Sequence, residues 1–329
     1  MQTNLKRRVI ATALLLLPAM GFSAGADAQG AWPSKIINYV VPYPPGGTTD
    51  IIGRTIAQRL GAALGVTVVV DNKAGATGTI GGSAVARAAP DGYTLLGTSI
   101  GPQAIVPHLM PNIPYDPAKS YEPVSLVGMV PHLLIVPANS PYNSVRDLIA
   151  AAKAKPEGLM FASGGNGTIL QMQGELLCQQ AGVKMIHVPY KGDTPALQDV
   201  MGGQVTFGFL PIAAAFAHVQ SGKVKALAIT AARRAKGLPQ VPTMAEAGFA
   251  DFVVEQWQAI YAPAGTPKSI VQRLNQEIDR ILKEEQVVAT FEKLGVSIVG
   301  GPPQQLADQQ KTDFERWGKV IRIANIKLE

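Results

Sequence analysis

Two short stretches concentrate the residue types that can hold an anion without a metal or cofactor. Residues 43–50 read YPPGGTTD and residues 163–168 read SGGNGT. Each follows an apolar run, Ile36–Pro42 in the first case and Leu159–Ala162 in the second, and each precedes a helical pattern. The first amides of a helix lack intrahelical partners, and that end carries about half a positive charge. Glycine placed there lets an anion approach the main chain, and neighbouring hydroxyls add donors. The candidate binding residues are therefore Tyr43, Pro45, Gly46, Gly47, Thr48, Thr49 and Asp50 in the first stretch, and Ser163, Gly164, Gly165, Asn166, Gly167 and Thr168 in the second. Asp50 is a carboxylate inside an anion site, so its expected role is structural: as N-cap of the next helix it aims its oxygens at amides and shapes the loop. Either loop alone would be explained by the turn that any α/β fold needs after a strand. Two of them, one in each half of the chain, point to a ligand held between two lobes.

The same residues narrow the ligand class. Neither loop is followed by the Lys-Ser or Lys-Thr of a P-loop, and no G-x-G-x-x-G occurs. A carboxylate needs fewer donors than a triphosphate. Each charge-assisted hydrogen bond to it contributes about 1.5–3 kcal/mol. Four or five, less the costs of desolvation and ordering, leave the roughly 8 kcal/mol of micromolar binding. No cofactor and no metal is expected, because His108, His132, His187 and His218 are far apart and without zinc-ligand spacing.

Ser99 offers a competing chemistry. GTSIG (97–101) fits G-x-S-x-G behind the strand YTLL, the setting of a nucleophile elbow, and Asp193 and His218 follow in hydrolase order. Pro102 and Pro107 interrupt the helix such an elbow requires. Ser99 is therefore read as a strand-end residue facing the cleft, and a serine hydrolase is kept as the unfavoured alternative. Lys191, in PYKGDTP, either attracts an anion or is a solvated loop lysine; Trp257 is read as packing.

Apolar runs alternate with helical patterns through most of the chain, which implies an α/β protein with mainly parallel sheets. Asp50 is expected to cap a helix over 51–64, Ser144 and Asp147 to open another, and Thr194 to cap a third that has Pro195 in its first turn. Thr243 and Glu246 repeat the capping box, a Pro-started helix is expected from Pro267, and Trp317 and Ile321 share one face of a terminal helix. Residues 1–28 read as a secretory leader: Lys6, Arg7 and Arg8, an apolar stretch too short to span a bilayer, and a small-residue site ending at Ala28. Cys178 is the single cysteine, so an exported chain folds without an internal disulfide. The net charge of +6 is scattered, without the basic stripe and interleaved aromatics that nucleic acid requires, and it suits anionic small ligands.

Taken together, YPPGGTTD, VVVDNKAGATGTIGG, APDGYTLL, FASGGNGT, HVPYKGDTPALQDVMGGQV, GKVKALAIT, VPTMAEAGF and APAGTP occur in an order that resembles the substrate-binding receptors of tripartite tricarboxylate transporters, the Bug or TctC family. The resemblance covers nearly all of the chain after the leader. It implies a two-lobed Venus-flytrap, type II-like periplasmic-binding-protein fold. Residues 29–130 and 254–329 would form the first lobe and residues 131–253 the second. It further implies a periplasmic, non-catalytic, monomeric receptor for a small organic carboxylate that it hands to membrane permease subunits; a sensing subunit for a signalling partner is the alternative use of the same clamp. By the same resemblance Gly46–Asp50 and Ser163–Thr168 offer amides and hydroxyls to the two ends of the ligand, with Tyr190 and Lys191 bordering the cleft. Gln171 stands where many relatives have His, Leu210 where a number have Asp, and Ala259 where Gly is usual.

Overall fold

The computed structural model describes residues 32–110 and 112–327; the leader and its cleavage position lie outside them. The chain begins with β1 (Ile37–Val41), α1 (Thr48–Leu64), β2 (Val68–Asn72), α2 (Thr79–Ala86), β3 (Thr94–Ser99), a π-turn into the short α3 (Val106–Leu109), and β4 (Tyr121–Val130). It continues through β5 (His132–Pro137), α4 (Val145–Ala154), β6 (Met160–Ser163), α5 (Ile169–Ala181), β7 (Ile186–Pro189), α6 (Asp193–Met201), β8 (Phe207–Pro211), α7 (Ile212–Gln220) and β9 (Val224–Ile229). It closes with β10 (Gln256–Pro263), α8 (Lys268–Ile281), α9 (Glu285–Lys293), β11 (Ser297–Ile298) and α10 (Pro303–Ala324).

Two sheets result, ordered β11-β4-β10-β3-β1-β2 and β7-β6-β8-β5-β9. The chain passes from the first sheet to the second at Pro131, between β4 and β5, and returns into β10. Both sheets are mixed rather than mainly parallel. The reason is topological: β4 carries the chain out of the first sheet and β10 carries it back, so the two must pair antiparallel, and β5 enters the second sheet against β8 and β9. The βαβ units on either side keep their parallel pairings, β1 with β2 and β3, and β6 with β7 and β8.

Tyr39, Ile56, Leu60, Ile278 and Phe291 belong to one core between the first sheet and its helices. A second core runs from Leu126 and Trp257 into Phe161, Phe207 and Phe209 of the second sheet. Helix α10 packs on β4 and also on α5, so the C-terminal helix touches both lobes. Trp317 and Ile321 are buried there, and Gln179 Nε2 of α5 donates to the Val320 carbonyl at 2.9 Å.

Three helix starts differ from expectation. Helix α1 begins at Thr48 with Gly47 as its N-cap, so Asp50 is its third residue and not the cap. Gly192, at φ +112°, precedes α6, and Thr194 falls inside it. Thr243 and Glu246 make both bonds of a capping box, yet turns follow instead of a helix, with Gly248 at φ +101° ending the segment.

Candidate functional site

The first glycine loop is built around Asp50. Gly46 takes φ +89°, which an L side chain resists, and its amide donates to Asp50 Oδ2 at 2.9 Å. Arg54 Nε reaches the same oxygen at 3.0 Å, and Asn72 Nδ2 donates to Asp50 Oδ1 at 2.8 Å and to the Tyr43 carbonyl at 3.0 Å. Burial works to raise the Asp50 carboxyl, but these partners outweigh it and hold the group below its ordinary range. Its charge is therefore spent on the loop, as an organiser. The amides of Gly47, Thr48, Thr49 and Asp50 meet no protein acceptor among the described residues. Gly46 and Gly47 are exposed, with open space where a Cβ would stand.

Not every predicted donor is available. Thr49 Oγ1 is buried and donates to Gln258 Oε1 of β10 at 2.9 Å. Ser99 does lie beside this loop: its Oγ shares a 2.8 Å hydrogen bond with Tyr43 Oη, whose phenol burial pushes up to about 12 against the lowering effect of Ser99 and Thr98. Asp193 and His218 sit in α6 and α7 of the other lobe, so the Ser99 triad is not assembled.

The second loop spends more of its donors on itself. Ser163 is fully buried; its Oγ lies 2.6 Å from His187 Nε2 and also accepts the Gly165 amide at 3.1 Å. Burial pushes the His187 imidazole down to about 4. Thr168 Oγ1 donates to the Gly165 carbonyl at 2.7 Å and caps α5 by accepting the Gln171 amide. Gln171 Oε1 returns to accept the Gly167 amide at 2.8 Å. The amides of Gly164, Asn166, Ile169 and Leu170 have no acceptor among the described residues, and Asn166 is the exposed residue of the six.

Residues 190–192 are stitched onto this loop, Tyr190 N to the Ser163 carbonyl and Gly192 N to the Gly164 carbonyl, both at 3.0 Å. Tyr190 Oη is turned away to Asp199 Oδ2 at 2.7 Å, while Lys191 is exposed. Asp193, missed as a neighbour of this loop, lies directly against Gly164, and burial raises its carboxyl. Its sequence signal was the GD pair that starts α6. Gln258 was missed altogether; its Nε2 is buried without a partner. Leu210 lies in the core of the second sheet, and Ala259 is buried in β10.

The strand directions turn both loops toward the crossing strands. Ser99 at the end of β3 pairs with Gln258 near the start of β10, and Pro211 at the end of β8 pairs with His132 at the start of β5. The C-terminal ends of β1, β3, β6 and β8 therefore all point at the crossing strands. Residues from β11 and from the end of β9 line one common groove on the other side of those strands. The β1 and β6 loops thus share the opposite side, the position where open α/β sheets bind ligands.

Two α/β lobes joined by crossing strands, with paired glycine loops at strand ends, define a periplasmic-binding-protein architecture. The chain belongs to the family described as tripartite tricarboxylate transporter family receptor, which matches residues 52–326. It is 38% identical to BugT of Bordetella pertussis over 323 residues, 98% of this chain and 99% of that protein. A Rhodopseudomonas palustris protein solved with adipate superimposes at TM-score 0.80 and 34% identity, covering 90% of this chain and 99% of that one. MatC from Rhodopseudomonas palustris with bound malate gives 0.77 and 33%, covering 88% and 99%.

Proposed function

We propose that this protein is an extracytoplasmic receptor that closes its two lobes on a small organic carboxylate and delivers it to the membrane permease of a tripartite tricarboxylate-type transporter. The observation that carries this reading is the run of four main-chain amides, Gly47 to Asp50, that meet no protein acceptor among the described residues, at a helix start opened to solvent by the exposed Gly46 and Gly47. The amides of Gly164, Asn166, Ile169 and Leu170 supply the second grip from the opposite lobe. One end of the acid rests on the first loop in the open state, and closure brings the second loop onto the other end. Tyr43, Pro45, Ser99, Tyr190 and Lys191 border the ligand, and the hydroxyls of Thr49, Ser163 and Thr168 act by holding the loops in shape. The adipate and malate bound by two relatives support a dicarboxylate-sized guest. Export through the leader 1–28 and a monomeric state complete the proposal.

A thermal-shift screen of the mature chain against organic acids, including adipate and malate, tests it. A ligand that binds only the native state at a hundred times its Kd adds about 2.7 kcal/mol of stability. A panel of mono-, di- and tricarboxylates that leaves Tm unchanged would overturn the reading.

A further inference from the structure

A cavity of about 1220 Å³ opens on the face of the hinge opposite the glycine loops. Both lobes line it. Ile212 and Phe216 of α7 and Ala231 come from the second lobe; Met129, Val288 and Val296 come from the first. Within its lining Gly295 packs directly on the Ile212 side chain, a contact between lobes that leaves no room for a Cβ. Its rim is basic: Arg233 and Lys236 from the second lobe, Lys283 and Lys293 from the first, all exposed. None of these four forms an ion pair among the described residues, whereas their neighbour Arg234 is tied to Glu246 at 2.8 Å. The acidic residues of the lining are Glu292 and the half-buried Glu255, whose carboxyl burial pushes up to about 7.

We propose that this hinge-side groove docks an acidic amphipathic segment of a protein partner, apolar side chains against Phe216 and Val296 and carboxylates against Arg233, Lys236, Lys283 and Lys293. The volume exceeds the roughly 300–1,000 Å³ of small-molecule pockets, and an apolar trough with a charged rim is the arrangement that receives an amphipathic helix. Unpaired cations of one sign around the trough select an acidic partner and speed its encounter. The chain's own leader is excluded as occupant, because Lys6, Arg7 and Arg8 would meet like charge. The cations divide two and two between the lobes, so a bound segment bridges them. The proposal does not depend on what the opposite cleft binds.

The probe is a fluorescein-labelled helical peptide of about four turns with Leu at i, i+3, i+4 and i+7 and Glu on its other face, titrated by anisotropy into the mature chain. The expected result is binding that weakens about tenfold in each of R233E/K236E and K283E/K293E, is lost in the trough-filling Ala217→Trp, and is absent for the same peptide with Lys in place of Glu. Circular dichroism melts of each variant confirm that it folds. No binding, equal binding of the Glu and Lys peptides, indifference to Ala217→Trp, or sensitivity to only one lobe's reversal would each overturn it. Displacement of the peptide by submicellar laurate that itself responds to all four charge reversals would assign the groove to a small amphiphile and overturn it too.

Discussion

Gln173 Nε2 donates to His132 Nδ1 at 2.9 Å and to the Val254 carbonyl at 3.0 Å. One amide group thus joins both crossing segments to α5, the helix whose first turn follows the second glycine loop. The second glycine loop and the hinge are therefore connected through a single helix. The bond also fixes the imidazole: Nδ1 accepts, Nε2 carries the proton, and that N–H has no partner among the described residues. Gln173→Leu would leave the Val254 carbonyl and His132 Nδ1 buried and unpaired. Each such group costs about 1–3 kcal/mol, so the two together cost about 2–6 kcal/mol, offset in part because the unpaired Gln173 Oε1 is removed as well; the loss is read by urea unfolding at neutral pH. A loss under about 0.5 kcal/mol, the range of a surface change, would show that the hinge does not rely on this amide.

The pH dependence of stability contains two opposed contributions. Burial pushes His132 down to about 3 and His187 to about 4. The unfolded chain then binds protons that the native chain refuses, and stability falls as pH drops below about 6.5. Burial pushes Glu175 and Glu255 up to about 7. Here the native chain keeps protons that the unfolded chain releases above about 4.3, and stability falls as pH rises toward 7. Glu175→Gln removes one member of the second pair. Relative to the parent, this variant should gain stability steadily between pH about 4.3 and 7 and show no further gain above that. Denaturant titrations at several pH values in that window test it; a constant difference between the two proteins would contradict the burial of Glu175.

The expected elements that were found had local causes. Ser144 Oγ accepts the Asp147 amide, Asp147 Oδ2 accepts the amide of Asn143 just before the cap, and α4 follows; the i, i+4 spacing of Trp317 and Ile321 puts both in the core. Helix α7 went unread because IAAAFAHVQ has too little polar contrast for a 3.6-residue period to show. The box at Thr243 shows the converse: correct caps do not make a helix when glycine follows within two residues of Glu246. The site divides the same way. Glycine and hydroxyl composition marked both loops, but the loss of donors to distant partners was invisible locally. Thr49 bonds Gln258, 209 residues away, and Ser163 bonds His187, 24 residues away. Only the packed sheets bring those groups together.

The first loop offers a test in which folding and binding separate. Gly47 has φ −79° and ψ 167°, a conformation open to any residue, and nothing lies within 4 Å of where its Cβ would stand. Gly47 is also the N-cap of α1, where Val is a poorer cap than Gly, so Gly47→Val should fold with a loss of about 1 kcal/mol. The branched side chain stands over the amides of Thr48 and Thr49 and denies them to a carboxylate. Loss of two charge-assisted bonds, about 3 kcal/mol, corresponds to a binding constant weaker by about a hundredfold. Gly46 is the wrong position for this experiment, because φ +89° strains any L residue there. Calorimetric titration of whichever acid raises Tm decides the matter; unaltered affinity in Gly47→Val would remove this loop from the site.

Asp50 poses the sharpest question, a carboxylate at the heart of an anion site. Its side chain is 3% exposed and its oxygens are occupied by Gly46, Arg54 and Asn72. Asp50→Asn replaces one acceptor by an N–H₂ that must face a donor, at a cost of about 1–3 kcal/mol. Removing a negative charge would by itself favour an anionic guest. The loosened turn at Gly46 opposes this, because it disorders the amides that the guest needs. We expect the second effect to prevail, with weaker binding as well as lower stability. The stability difference should also depend on pH in one direction. The folded carboxyl titrates below its unfolded value of about 3.9, so its contribution is present above that pH and disappears as pH falls through the folded value. Parent and Asp50→Asn should therefore converge in strongly acidic solution. Tighter binding by the variant, or a gap that persists undiminished into acid, would mean that Asp50 acts on the ligand rather than on the loop.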